Sequence, residues 1–258
     1  MATTFPPGTA LITGASVGIG RAFAQRAAAD GVDLVLVARR EDALQQLASE
    51  LRDRFGIRVE VIPADLSLTG AAAALVAELE ERGLQIDTLV NNAGLGAHGD
   101  VVDSDVADAS TQIAVNITTL TELTALLLPG MVQRRSGAII TIASTAAFQP
   151  VPHFAVYGAT KAYVRSFTMA LWGELHGTGV RALAVCPGAT STEFFAVAGA
   201  APVGTFRTPD QVVSTALRAL RRGKASVVDG GGNAFTARIA QRLPERLAIA
   251  IAERAMRG

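Results

Sequence analysis

Seven short apolar runs alternate with longer helix-like stretches, and this alternation leaves the chain few ways to fold. The runs are TALIT (9–13), DLVLV (33–37), RVEVI (58–62), DTLVN (87–91), GAIITIA (137–143), VRALAVC (180–186) and ASVV (225–228). They are rich in Val, Ile and Leu and mostly lack clean polar alternation, as parallel strands buried on both faces do. Helical patterns occupy 18–30, 41–54, 68–82, 103–131, 154–176 and 208–222. Strand, helix, strand, repeated, predicts an α/β fold: a doubly wound, parallel, seven-stranded sheet with helices on both faces. No Pro- or Ser-rich linker, composition break or repeat divides the chain. A single domain over 1–258 is therefore expected, with a core over about 9–230 and a helical tail over 233–258.

The tail departs from the pattern. DGGGNAF (229–235) predicts a loop, and the following segment reads as helix with a break at Pro244. Leu243, Leu247 and Ile251 recur at i+4 as an apolar stripe. Packing on the domain or on a partner subunit is the expectation for it; a membrane-touching helix is the alternative, since arginines flank the stripe.

Lys+Arg and Asp+Glu are both 23, giving a formal net charge of +0, which points away from nucleic acid or an acidic membrane surface as main partner. The one cysteine, Cys186, rules out an internal disulfide framework and suits a reducing compartment; packing is its expected role. MATTFPPG lacks the basic start and apolar stretch of a signal peptide. No apolar run approaches the ~20 residues of a membrane span. A cytoplasmic protein is the expectation. His98, His153 and His176 show no metal-binding spacing, so no metal is expected.

LITGASVGIG (11–20) follows the first strand and opens a helix, with Gly14, Gly18 and Gly20 in the pattern TGxxxGxG. Glycines let backbone approach a pyrophosphate whose charge sits at the helix N-terminus. The second strand ends in Ala38, Arg39 and Arg40, where many dinucleotide sites carry an acid for the ribose 2′-hydroxyl. An arginine there can grip a 2′-phosphate with a bidentate fork. NADP(H) is expected over NAD(H), with Arg39 the main contact; a solvated pair at a helix start is the alternative reading of the two arginines.

Other motifs fall at strand ends: Asp65-Leu66, NNAG (91–94), Ser144, and CPGATSTEF (186–194). Asn116 lies in a long helical stretch, and Tyr157 and Lys161 stand in YGATK. On a helix those two share a face. A nearby cation favours the phenolate, which otherwise forms near pH ~10, and a catalytic pKa near working pH serves general acid/base chemistry.

TGASVGIG, NNAG, Asn116, Ser144 and YGATK, in this order and spacing, resemble the short-chain dehydrogenase/reductase family in its compact single-domain branch, from about residue 9 to about 230. The tail, NAF then RLPERL, is similar to a subgroup of bacterial members. The resemblance implies a Rossmann-type fold and interconversion of a carbonyl and an alcohol. It implies that Tyr157 is the general acid/base, that Ser144 holds the carbonyl oxygen, that Lys161 binds the nicotinamide ribose and lowers the Tyr157 pKa, and that Asn116 supports a water relay. Gly14, Ser16, Gly18, Ile19 and Gly20 would line the phosphates. Asp65 and Leu66 would meet the adenine, and Asn91, Ala93 and Gly94 the adenosine ribose and strand-four backbone. Pro187, Gly188 and Thr192 would contact the nicotinamide side.

The expected substrate sits among Leu95, Phe148, Val151, His153, Phe154, Phe194 and Phe195, an apolar setting that favours a neutral, hydrophobic ketone, aldehyde or alcohol. Gly and Ala runs between Gly188 and Thr208 suggest a lid. A non-catalytic redox sensor or scaffold is the alternative function, although such proteins often lose the tyrosine or lysine kept here. A nucleotide-sugar epimerase or dehydratase would need TGxxGxxG and a larger C-terminal domain. Family members usually form dimers or tetramers; 113–128 and 162–172 suit that role. Trp172 reads as core or subunit contact.

Overall fold

The computed structural model describes residues 5, 7–199 and 206–256. Its strands are β1 (Thr9–Thr13), β2 (Asp33–Ala38), β3 (Val59–Pro63), β4 (Thr88–Asn91), β5 (Gly137–Ile142), β6 (Val180–Cys186) and β7 (Ser226–Val228). They form one sheet in the order β3-β2-β1-β4-β5-β6-β7, and every neighbouring pair is parallel. The strand order reverses between β1 and β4, and at such a switch point the strand-end loops diverge and leave a crevice.

The helices are α1 (Gly18–Ala29), α2 (Glu41–Phe55), α3 (Ala71–Glu81), α4 (Val106–Ile113), α5 (Leu120–Gln133), α6 (Ala155–Glu174), α7 (Phe194–Ala198), α8 (Pro209–Arg221), α9 (Gly231–Ala240) and α10 (Glu245–Met256). Ile12, Leu36, Ile140 and Val185 pack with Phe23, Leu44 and Leu217 of α1, α2 and α8. Leu11, Val35, Ile139 and Ala182 pack with Leu75, Leu123 and Leu171 of α3, α5 and α6. Successive strand residues do alternate, but between two apolar layers, which is why no polar alternation shows in the sequence.

Three expectations need correction. The glycine-rich stretch 229–235 is not all loop: α9 begins at Gly231. Glycines disfavour a helix interior, but these two occupy the first turn, and Asn233 Nδ2 donates to the Asp229 carbonyl at 2.8 Å. Of the two surfaces expected to cover the tail stripe, the domain covers it only in part, with Leu243 half-buried. Ala248 and Ala252 are buried, while Leu247 and Ile251 stay 48% and 50% exposed. Pro244 does stand between α9 and α10, where the break was expected. Finally, α4 and α5 run on through a π-helical segment, Ala114–Thr119, into one 28-residue helix, Val106–Gln133. By length and composition it could cross a membrane, contrary to the reading of the apolar runs. Here it lies on the sheet, with Leu123 and Met131 in the core and Gln112, Asn116, Thr119 and Thr124 buried.

Candidate active site

A cavity of about 550 Å³ opens at the carboxyl ends of the strands, with Arg39 and Asp65, the glycine loop, and Ser144 and Tyr157 all in its wall. Gly14, Ser16, Gly18, Ile19, Leu66, Ala93, Gly94, Lys161, Pro187, Gly188 and Thr192 line it, as expected of a shared site. Gly18 holds φ at +56°, and a Cβ there would lie 2.8 Å from Thr192 Cγ2. Gly20 does not line the cavity; a Cβ on it would meet the Gly14 carbonyl oxygen at 2.2 Å, so this glycine serves the tight turn.

The NNAG turn is stitched to the glycine loop. Asn92 Nδ2 donates to the carbonyls of Thr13 and Gly14 at 2.9 and 3.1 Å. Thr13 Oγ1 accepts from the backbone N–H groups of Asn92 and Ala93, both at 3.0 Å. Asn91, expected along the ribose, points elsewhere: its Nδ2 donates to Thr124 Oγ1 of α5 at 3.0 Å, inside the protein. Side chains alternate across a strand, so of two adjacent asparagines only one faces the cleft. Asn92 is the one the sequence reading missed.

At the other end, Ser144 caps a 3-10 turn, Thr145–Phe148, its Oγ accepting from Ala146 N at 3.1 Å. Its side chain also stands near enough to Tyr157 to lower the phenol's pKa. One turn further along α6, Lys161 Nζ donates to the Ile142 carbonyl at 2.8 Å and lies 5.8 Å from the Tyr157 ring centre. Burial pushes the Tyr157 phenol up to about 12, against the lowering effect of the Ser144 side chain. Burial pulls the Lys161 ammonium down to about 8. In this state the phenol therefore keeps its proton at neutral pH; burial and the Ser144 side chain set its pKa, and the lowering expected of Lys161 is not among the influences on it.

Asn116 is fully buried in the π-helical segment and does not line the cavity. Its Oδ1 accepts from Leu95 N at 2.9 Å, and its Nδ2 donates to Leu95 O at 2.8 Å and to Thr160 Oγ1 at 2.9 Å. A Cβ on Gly94 would come within 3.1 Å of Lys161 Nζ and 3.3 Å of Asn116 Oδ1. The four residues Gly94, Leu95, Asn116 and Lys161 thus form one compact wall.

The substrate side is apolar. Leu95, Val151, Phe154, Phe194, Phe195 and Val197 line it, whereas Phe148 and His153 do not. Phe148 lies instead beneath the Arg165 guanidinium, 4.4 Å away. His153 Nδ1 bonds Asp100 Oδ1 at 2.7 Å. The Tyr157 ring rests between Phe154 and Phe194, at 5.7 and 5.2 Å. Cys186 is buried and its thiol is pushed up to about 12 by desolvation, which makes it inert packing.

Two further features carry no sequence signal. Asp229 is fully buried and accepts from Arg207 Nε at 2.9 Å, Arg207 Nη2 at 3.0 Å and Thr215 Oγ1 at 2.7 Å. Arg207 also pairs through its backbone with Ala189 and Ser191, closing the base of the loop expected to be a lid. Residues 200–205 of that loop lie outside the described residues. Asn233 packs on Gly188, where a Cβ would meet its Nδ2 at 2.4 Å, so α9 buttresses the cavity wall.

Comparison with known proteins agrees with this architecture. Residues 8–201 match the family model described as short chain dehydrogenase. Over 186 residues the chain is 44% identical to sulfoacetaldehyde reductase 2 of Chromohalobacter salexigens, covering 71% of this chain and 73% of that one. A short-chain dehydrogenase from Sphingobium yanoikuyae, solved in complex with NADPH, superposes with a TM-score of 0.83 at 38% identity, covering 92% and 93% of the two chains. A structure reported for 7beta-hydroxysteroid dehydrogenase stereoselectivity gives a TM-score of 0.87 at 29% identity over 96% and 97%.

Proposed function

Because the chain belongs to the short chain dehydrogenase family and is an oxidoreductase of that kind, we propose that it interconverts a ketone or aldehyde and its alcohol by NADP(H)-dependent hydride transfer, with Tyr157 as general acid/base. The observation that carries this reading is the gathering of Ser144, Tyr157 and Lys161 on the same cavity as Arg39, a cation with no hydrogen bond or ion pair among the described residues.

The residues present fit a dinucleotide. The glycine loop opens onto the cavity at the N-terminus of α1, and Gly94 leaves open the space before Lys161 that a side chain would fill. Gly14, Ser16, Gly18 and Ile19 would hold the pyrophosphate, Arg39 a 2′-phosphate, Asp65 and Leu66 the adenine, Ala93 and Gly94 the adenosine ribose. Lys161 would hold the ribose hydroxyls nearest the chemistry, with Pro187, Gly188 and Thr192 on the nicotinamide side. The bound nicotinamide supplies or accepts the hydride.

The protein supplies orientation and the proton. Ser144 directs its hydroxyl to the carbonyl oxygen, and Tyr157 delivers a proton from its phenol to the same atom. The raised phenol pKa suits reduction, in which the proton must be present at the start. For alcohol oxidation the phenolate is required, and a cationic Lys161 turned toward the phenol is the group able to lower it. Asn116 acts as a positioning residue through Leu95 and Thr160.

The substrate side favours a neutral, hydrophobic carbonyl compound, because its described wall holds no arginine or lysine beyond Lys161. The relative named for sulfoacetaldehyde makes the opposite case worth testing, since a sulfonate would need a cation there. The experiment is NADPH oxidation across neutral ketones and aldehydes and across small carboxylated or sulfonated ones, with Tyr157→Phe alongside. Turnover confined to the anionic compounds overturns the substrate reading; undiminished turnover in Tyr157→Phe overturns the role of the tyrosine. Exposed Ile113, Leu126, Tyr163 and Trp172 on α4, α5 and α6 support a homodimer or homotetramer, which light scattering would reveal.

A further inference from the structure

Arg40 and Glu193 stand 153 residues apart, yet Arg40 Nη2 lies 3.2 Å from Glu193 Oε2. Arg40 follows β2 as the cap of α2, and Glu193 caps α7 on the loop after β6. Both line the same cavity as Arg39 and Asp65. Next to the pair, Thr192 sits on Gly18 of the glycine loop. The ion pair therefore bridges from the end of β2, where a 2′-phosphate would lie, to the loop over the nicotinamide side. Arg39 faces Asp65 at longer range; Arg40 is the arginine already engaged.

We propose that Glu193 is a specificity-determining residue for the cofactor. Its carboxylate competes with the 2′-phosphate of NADP(H) for Arg40, and so sets how fast NADP(H), but not NAD(H), leaves the site. This rests on the NADP(H) reading given above. A phosphate carries more charge than a carboxylate and accepts the guanidinium fork in bidentate fashion, so it wins the contest. Its gain is offset by the lost Arg40–Glu193 pair and by repulsion from the freed carboxylate. NAD(H) has no phosphate there and leaves the pair intact, so the offset falls on one nucleotide alone. The two side chains are 54% and 57% exposed, and exposed pairs contribute little, so the effect is several-fold and no more. Where product release limits turnover, such a competitor lets spent cofactor go sooner.

Stopped-flow nucleotide fluorescence on wild type, Glu193→Gln, Arg40→Gln and the double variant tests this. Glu193→Gln should slow NADPH release about two- to five-fold and leave NADH release unchanged. The difference should shrink at high salt and vanish in the Arg40→Gln background, as a coupled pair requires. Equal changes for both nucleotides, faster NADPH release, or no change would overturn the proposal. The wild-type preference for NADPH, and its loss in Arg39→Asp, are read in the same experiment. A wild type without that preference overturns the cofactor reading and this one with it. An intact preference with no Glu193 effect overturns only this one.

Discussion

The Lys161 ammonium lies 5.8 Å from the centre of the Tyr157 ring but gives its hydrogen bond to the Ile142 carbonyl. A buried charge held this way is a load on the fold. Its pKa, drawn from 10.5 to about 8, lies below the ordinary value, so between the two the unfolded chain binds more protons. Stability then rises with pH across that window, and the full penalty is present below about pH 8. Tyr157 acts in the other direction: its raised value contributes stability below pH 10 that is lost as pH climbs toward about 12. We expect wild type to gain on the order of 1–3 kcal/mol relative to Lys161→Met between pH 7 and pH 10, read by urea denaturation at each pH. A gap between the two proteins that stays constant over that range would show that Lys161 titrates normally.

Arg39 lines the cavity without a hydrogen bond or ion pair of its own among the described residues. A charge-assisted, bidentate contact to phosphate is among the stronger hydrogen bonds available. Arg39→Asp removes it and introduces repulsion. We expect NADPH to bind about 10- to 100-fold more weakly, with NADH affinity held within a few-fold, as measured by fluorescence titration. Equal losses for both nucleotides would assign Arg39 to folding rather than to the phosphate.

The sheet was legible because parallel strands are short, apolar and separated by amphipathic helices; β1 and β6 fall on the expected residues to the letter. Strand-end motifs were legible for the same reason, since any residue at the carboxyl end of a strand near the switch point reaches the crevice. What escaped was side-chain direction and long-range pairing. NNAG does not say which asparagine faces the cleft; β4 geometry turns Asn91 to Thr124 and Asn92 to Gly14. Arg207 and Asp229 meet 22 residues apart with no periodicity to mark them. The α9 start was hidden because glycine propensity is local, whereas Asn233 is held by Asp229 and Gly188.

Gly96 is a position whose importance only the packing reveals. A Cβ there would lie 2.7 Å from Phe194 Cζ and 3.1 Å from Tyr157 Cδ2. Gly96→Ala should push Phe194 into the substrate space at a cost of about 1–3 kcal/mol. The expected outcome is a KM for bulky ketones raised about 5- to 100-fold, with NADPH affinity little changed, measured by steady-state kinetics and nucleotide titration. A rise in the cofactor Kd of the same size would place the damage in the dinucleotide half instead.

Arg207 and Asp229 form the ion pair at the base of the loop after β6. Asp229 is fully buried, while the Arg207 side chain keeps 29% of its surface in solvent. Removing the arginine leaves a buried carboxylate with one remaining hydroxyl donor, Thr215, and stranded buried charges are among the more destabilising changes a fold can suffer. Solvent at the open side of the pair softens the effect. We expect Arg207→Met to lose about 2–4 kcal/mol, lowering Tm by roughly 4–16 °C in a chain of this size. Asp229→Asn removes the charge, and its single amide oxygen can still accept from Arg207 Nη2 and Thr215 while the acceptor for Arg207 Nε is lost; it should lose less. Calorimetry of both variants distinguishes the two costs: if Asp229→Asn proves as damaging as Arg207→Met, the pair matters for its hydrogen-bond geometry and not for the burial of charge.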